Sequence, residues 1–323
     1  MSRAAVATGA LVAVSLALGL AAGTVPLAPL DVWNGLWTPD APASVIVREL
    51  RMPRVLLAFL VGGSLAVCGA ALQAMIRNPL AEPYLLGLSG GAGLGAVVAL
   101  ASRAAGPWAV PLAAFAGAMA AVGLVYRLSI VAGRRLDPRI LLLSGVVVGA
   151  FAGALMSAII VLSDAPTVRN AFLWLLGGFG AASWQALGVF AAYAVLPLAA
   201  IGLSARSLDL VALGDEPAHH LGADVERTRR LVYLCTALLT AASVAACGII
   251  GFVGLVVPHA VRSVTRPLHR TLLPLVFAGG GAFLVLADVV SRTVAPPLEL
   301  PVGVVTALVG VPIFAVLLRR SVA

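Results

Sequence analysis

The sequence contains no lysine: all 21 of its permanently basic side chains are arginines. A phosphate-binding loop of the GxxxxGK[ST] type needs its lysine to reach the nucleotide phosphates, and Schiff-base catalysis needs a lysine amine. The 323 residues therefore carry neither chemistry. Charge of either sign is scarce. Only 11% of residues are charged, against roughly a quarter in an ordinary soluble chain, too little to cover a globule in water. The three cysteines, Cys68, Cys235 and Cys247, lie inside apolar runs and read as small packing residues, not as a disulfide framework. The four histidines, at 219, 220, 259 and 269, do not form a zinc spacing, and no GxSxG nucleophile motif occurs. No catalytic or metal-binding constellation is legible.

What is present is apolar. Hydrophobic residues make up 61% of the chain and the mean hydropathy is +1.08. The 34 glycines suit membrane helices, where small residues let backbones approach. A spanning helix needs about 20 apolar residues. Apolar segments fall near 4–23, 53–76, 84–101, 108–131, 139–162, 184–204, 230–250, 252–261, 271–291 and 302–318, with Pro79, Pro138, Pro258 and Pro301 at the joints. The fold class expected is an all-α polytopic membrane protein of about ten transmembrane helices, with 1–323 a single transmembrane domain. Residues 4–23 read as a retained first helix, not a signal peptide. The segment 252–261 is short for a span and open to a half-spanning reading.

Arginine placement orients the spans. With both termini in the cytoplasm, Arg48, Arg51, Arg54, Arg103, Arg169 and Arg292 fall outside and the other 15 of 21 inside, the bias the positive-inside rule predicts. Arginines at segment ends also argue against nucleic-acid binding. The outer connector 25–52 offers Trp33 and Trp37 to an interface belt, and 163–183 reads as a short helix at the outer surface. Ser64–Gly69 resembles Ser243–Gly248. Five spans separate the two, so the copies run in opposite directions, as in the inverted repeats of many transporters.

Ionisable groups near the membrane need an account. Asp288 and Arg292 are spaced to pair on one helical face. Gln73, Asn78, Ser89 and Gly90 are candidates for pathway lining, and equally for contacts between helices. In the connector 205–230, the run Gly214–Gly222 reads as a short helix, with Asp215, Glu216 and Pro217 in its first turn and Gly222 at its end. His219 and His220 read as a solvated pair. An ion-gradient-driven secondary transporter would predict buried carboxylates near mid-membrane, and only Asp288 comes close.

Several runs resemble the FecCD/BtuC-type permease subunits of type II ABC importers. They are Arg51-Met52-Pro53-Arg54; Gln73 through Gly95, with Arg77-Asn78-Pro79-Leu80-Ala81-Glu82-Pro83; Trp174-Leu175-Leu176-Gly177-Gly178-Phe179-Gly180; Gly251 through His259; and Glu299 through Thr306. The resemblance covers nearly the whole chain. It implies a multi-pass permease of the bacterial inner membrane, working as a homodimer around one pathway by alternating access. It also implies two cytoplasmic ABC ATPase subunits that hold ATP and Mg, no cofactor in this chain, and a periplasmic substrate-binding protein. By motif, ATPase coupling falls on Asp215, Glu216, Ala218 and Gly222, with Pro217 departing from the usual alanine. Binding-protein docking falls on Arg51, Arg54 and Arg292. The Gly-Gly-Phe-Gly after Trp174 is similar to cobalamin permeases, whereas iron chelates are the more frequent cargo. Ferric siderophore, haem and cobalamin all stay open.

Overall fold

The computed structural model describes residues 3–133, 137–265 and 268–322. Among them there is no strand. Helix α1 is Arg3–Ala21 and α2 is Pro29–Trp37; a π-helical turn, Ile46–Arg51, runs straight into α3, Met52–Ile76. A 3-10 turn, Pro83–Leu86, precedes α4, Leu88–Ala101. Then come α5 (Ala109–Gly133), α6 (Pro138–Val161), α7 (Ala165–Leu175), α8 (Trp184–Leu203), α9 (Ala205–Ala212), α10 (Asp215–His220), α11 (Val225–Cys247), α12 (Val253–Arg262), α13 (His269–Thr293) and α14 (Val302–Val322).

Among the described residues, seven helices are long and apolar enough to cross a membrane: α1, the π-turn with α3, α5, α6, α8, α11 and α13. Three more apolar helices, α4, α12 and the Val302–Val316 stretch of α14, are shorter. Together they account for the ten apolar segments of the sequence. At about 1.5 Å per residue, the ten residues of α12 reach only about 15 Å, half the hydrocarbon thickness, so the eighth segment is a half-length helix. Its start is set by Phe252 in the left-handed region, with φ of 70°.

The sequence signals that start the helices are the expected ones. Side chains of Asp137, Asp164, Ser183 and Asp224 cap α6, α7, α8 and α11 by accepting from backbone N–H groups two or three residues on. The third apolar segment begins later than its hydropathy suggests, because Pro83 opens a 3-10 turn and Gly87 leaves it in the left-handed conformation. Helix α9 was not read from the connector 205–230; it buries Ala205, Leu208 and Val211 against the bundle.

Helix α3 lies at the centre, apolar and buried all round. It packs most heavily on α13 and also on α12, whereas α11 packs on α8, α5 and α3 and more lightly on α4. If α3, α4, α5 and α6 correspond to α11, α12, α13 and α14, these contacts are reciprocal, the pattern an inverted repeat generates. Small residues set the crossings. A side chain on Gly69 would overlap the Gly254 carbonyl, and one on Gly62 would overlap the Gly280 carbonyl. These are backbone approaches that only glycine permits. Tyr233 on α11 ties the halves further, its hydroxyl donating to the Val122 carbonyl of α5 at 2.8 Å.

Candidate functional site

The charged side chains that link different helices gather at the two ends of the bundle. At one end, Arg54 on α3 meets Asp288 on α13. Its Nε lies 3.0 Å and its Nη2 2.8 Å from Asp288 Oδ1, and the same guanidinium reaches Glu299 Oε2 at 2.8 Å. Arg292, one turn along from Asp288, places Nε 3.0 Å from Oδ2. The expected i, i+4 pair is thus present, with Arg54 as a third member. Arg292 also donates to Gly19 and Ala22 carbonyls, at 3.1 and 3.0 Å. Arg51 donates to Leu20 and Ala21 carbonyls, each at 2.7 Å, and to Val25. The last carbonyls of α1, which no helical N–H can serve, are satisfied by these two guanidinium groups.

Arg51 and Arg292 are 6% and 4% exposed; Arg51 is held by the end of α1, and Arg292 by that end and by Asp288. Of the three arginines singled out by motif, Arg54 reaches furthest outward, at 13% side-chain exposure, towards a Glu299 that is 39% exposed. Glu299 was quoted in a motif without a role; only the fold reveals its partner, 245 positions away.

Two of the motif runs and the end of α11 converge beside this cluster. Gly178 donates to the Cys247 carbonyl at 2.7 Å, Val302 to Gly177 at 3.0 Å and Gly303 to Leu176 at 3.1 Å. The loop after α7 is thereby stitched to the end of α11 and the start of α14. Gly177 and Gly248 both have positive φ, 69° and 72°, so the two loops can interlock where a side chain would collide. A cavity of about 490 Å³ opens here, with Arg54, Trp174, Gly178 and Glu299 in its walls.

At the opposite end, Asp215 opens α10. Its Oδ1 lies 2.6 Å from Arg229 Nη2 on α11 and 3.9 Å from Arg77 Nη2 at the end of α3. These groups, with Asn78, Asp137 and Arg139, line a hollow of about 720 Å³. Ala218 is buried and Glu216 exposed; Gly222 closes the turn with φ of 81°. The helix expected over Gly214–Gly222 is therefore present as Asp215–His220, and His219 and His220 are exposed on it. Leu213 and Leu221, flanking it, are 63% and 58% exposed.

The pathway candidates are engaged structurally. Gln73 is buried, donates to the Gly254 carbonyl at 3.2 Å and accepts from Arg262. Asn78 Oδ1 holds its own turn by accepting from Leu80 N at 2.9 Å. A side chain on Gly90 would press on the Gly149 carbonyl at 2.7 Å, so this glycine sets the α4–α6 crossing. Ser89 is half-buried on the same helix. A carboxylate that the residue pattern did not single out does more. Glu82 Oε1 accepts from Phe252 N–H at 2.6 Å, at the N-terminus of half-helix α12. Burial pushes the Glu82 carboxyl above its ordinary range, and this hydrogen bond draws it partly back. An acidic residue between two apolar segments was the available signal.

A lipid-spanning helical bundle with half-length helices, interlocked mid-chain loops and an exposed helix at one end defines a transport protein of the permease class. The FecCD transport family matches residues 11–320. The chain is 44% identical to the cobalamin import system permease protein BtuC of Halobacterium salinarum, over 86% of this chain and 74% of that protein. It is 40% identical to the hemin transport system permease protein HmuU of Yersinia pestis, over 95% and 93%. A solved inward-facing structure of a metal-chelate type ABC transporter shares the fold at a TM-score of 0.85 and 27% identity, over 98% of this chain and 99% of that one. The chain belongs to the FecCD transport family, the permease subunits of ABC importers.

Proposed function

We propose that two copies of this chain form the pathway by which an ABC importer carries a metal chelate from periplasm to cytoplasm. The cargo class is a ferric siderophore, haem or cobalamin, in keeping with relatives named for cobalamin and hemin. The observation that carries the reading is the family match over residues 11–320. Both termini lie in the cytoplasm, which sets the Arg54 end of the bundle outside and the Asp215 end inside. Transport runs by alternating access. ATP and Mg belong to two separate ATPase subunits, in accord with a sequence that has no lysine for a phosphate-binding loop. The chain itself carries no cofactor.

On the inner side, α10 and the exposed Leu213 and Leu221 form the coupling surface for the ATPase, with Asp215, Glu216, Ala218 and Gly222 shaping it. On the outer side, a periplasmic binding protein docks over Arg54 and Glu299, with Arg51 and Arg292 underneath. An exposed ion pair there is worth about 0–1 kcal/mol and orients the partner more than it holds it. The second copy meets an apolar hollow of about 490 Å³ walled by Leu176, Ile249, Val304, Leu308 and Val311.

Reconstitution tests this. The chain is placed in liposomes with its ATPase and binding protein, and labelled chelate uptake is followed. ATP-dependent uptake that also requires the binding protein is expected. Uptake driven by a proton or sodium gradient without ATP would establish the secondary-transporter reading instead.

A further inference from the structure

We propose that Asp209 and Asp215 are the two carboxylates through which the α9–α10 segment grips the membrane helices, Asp209 holding α13 and Asp215 holding α11 and α3. The inference rests on α10 being the surface the ATPase moves, and names the side chains that would carry that movement onward.

The two attachments are built differently. Helix α13 begins with no side-chain cap of its own. Asp209, on α9, supplies one from outside: Oδ1 accepts from the His269 backbone N–H at 2.9 Å and contacts His269 Nδ1 at 2.6 Å. A carboxylate accepts only, so the ring proton sits on Nδ1. His269 is buried, and its Nδ1 is held by Asp209. The carboxylate thus holds both the first free N–H and the first side chain of α13.

Asp215 is an ion-pair anchor. It sits in the first turn of α10 and takes Arg229 Nη2 at 2.6 Å. Arg229 is buried in the second turn of α11, and among the described residues its Nε finds no acceptor, which leaves Nη2 as the atom that Asp215 holds. Letting go of Asp215 would strand a buried guanidinium, so α10 and α11 separate only at high cost. Arg77, in the left-handed cap of α3, faces the same carboxylate at 3.9 Å and lies over Gly214. Gly214, with φ of 120°, turns the chain between α9 and α10 and leaves room for that guanidinium. Six residues apart, the two carboxylates therefore bridge the ends of three spans. α3 and α13 form one of the two most extensive helix contacts in the bundle, the other being that of α4 with α5.

Two measurements test the grip. In the chain alone, in nanodiscs, Asp215→Asn should speed amide hydrogen exchange over 215–220 by at least about tenfold, because the segment opens more readily. Asp215→Glu, which keeps the charge, should stay close to wild type. Unchanged exchange in Asp215→Asn would overturn the proposal, whatever the chain transports. In liposomes with the ATPase, the binding protein and labelled chelate, Asp209→Asn with Asp215→Asn should lower chelate moved per ATP hydrolysed at least about fivefold. The ATPase should still co-purify in full. A wild-type ratio in that double variant also overturns the proposal. A merely structural role would lower the amount of folded complex and leave the ratio alone. Wild-type uptake independent of ATP would instead sink the importer reading, while the exchange result still decides whether the carboxylates hold the segment.

Discussion

Arg54 and Asp288 are joined by three hydrogen bonds, two to Oδ1 at 3.0 and 2.8 Å and one to Oδ2 at 3.2 Å, although 234 positions separate them in the chain. Asp288 is almost fully buried and also carries Arg292 on Oδ2. Removing the carboxylate would leave the buried Arg292 without its counter-charge and Arg54 with only the more exposed Glu299. Asp288→Ala should therefore lose about 3–5 kcal/mol, the usual consequence of breaking a buried pair from one side. Glu299→Ala, at the exposed edge of the same cluster, should lose no more than about 1 kcal/mol. Thermal unfolding of the detergent-solubilised protein measures both. Equal losses would show that the cluster is not graded by burial.

The backbone approach of α3 and α12 gives a second prediction. A methyl group on Gly69 would overlap the Gly254 carbonyl, and neither helix can retreat, since both are buried. Gly69→Ala should reduce folded yield severely. Gly123→Ala is the control: nothing lies within 4 Å of its would-be side chain, and alanine favours the helix by about 1 kcal/mol. Size-exclusion profiles after extraction should show a monodisperse peak for Gly123→Ala and its loss for Gly69→Ala.

The spans, their half-length member and the pairing of Asp288 with Arg292 could all be read from the sequence, because each depends on local hydropathy or on spacing along one helix. The partners across the bundle could not. Arg54 with Asp288, Gln73 with Arg262, and Glu82 with the Phe252 N–H join positions more than 160 residues apart. No periodicity encodes which helix lies beside which. The same gap explains why Gln73, a polar residue in an apolar run, was open to a pathway role. Its polarity was visible, but its acceptor and donor were not. Burial was the other hidden quantity. Arg51 and Arg292 sit at segment ends, where arginines usually meet water, but here they meet the uncapped end of α1.

If α10 is the coupling surface, the leucines beside it should matter to the ATPase and not to the fold. Leu213 and Leu221 are largely exposed and flank α10 on either side. Leu213→Asp with Leu221→Asp should weaken ATPase binding by at least about tenfold, as expected when apolar anchors at an interface are replaced by charge. The unfolding temperature of the isolated permease should not change. Binding of the purified ATPase to nanodisc-embedded permease, followed by interferometry, reads the first quantity; undiminished binding would place the coupling surface elsewhere.

Glu82 gives a prediction in pH. Burial raises its carboxyl above the ordinary 4.5, with the Phe252 N–H opposing. The folded state therefore binds this proton more tightly than the unfolded chain does. Its contribution to stability is fully present below pH 4.5 and is lost as pH rises through the folded value. Glu82→Gln keeps an oxygen to accept the Phe252 N–H and does not titrate. The stability of the wild type relative to Glu82→Gln should accordingly fall as pH is raised from about 4 to about 7, with the change concentrated just above the ordinary carboxylate range. Unfolding temperatures of the two proteins in the same detergent across that range give the difference directly, with the other titrating groups cancelling. A gap that stayed constant would mean that Glu82 ionises in the fold as it does in the open chain. A wild type that gained stability relative to Glu82→Gln as pH rose would mean that the half-helix N-terminus outweighs burial and holds the carboxylate in its charged form.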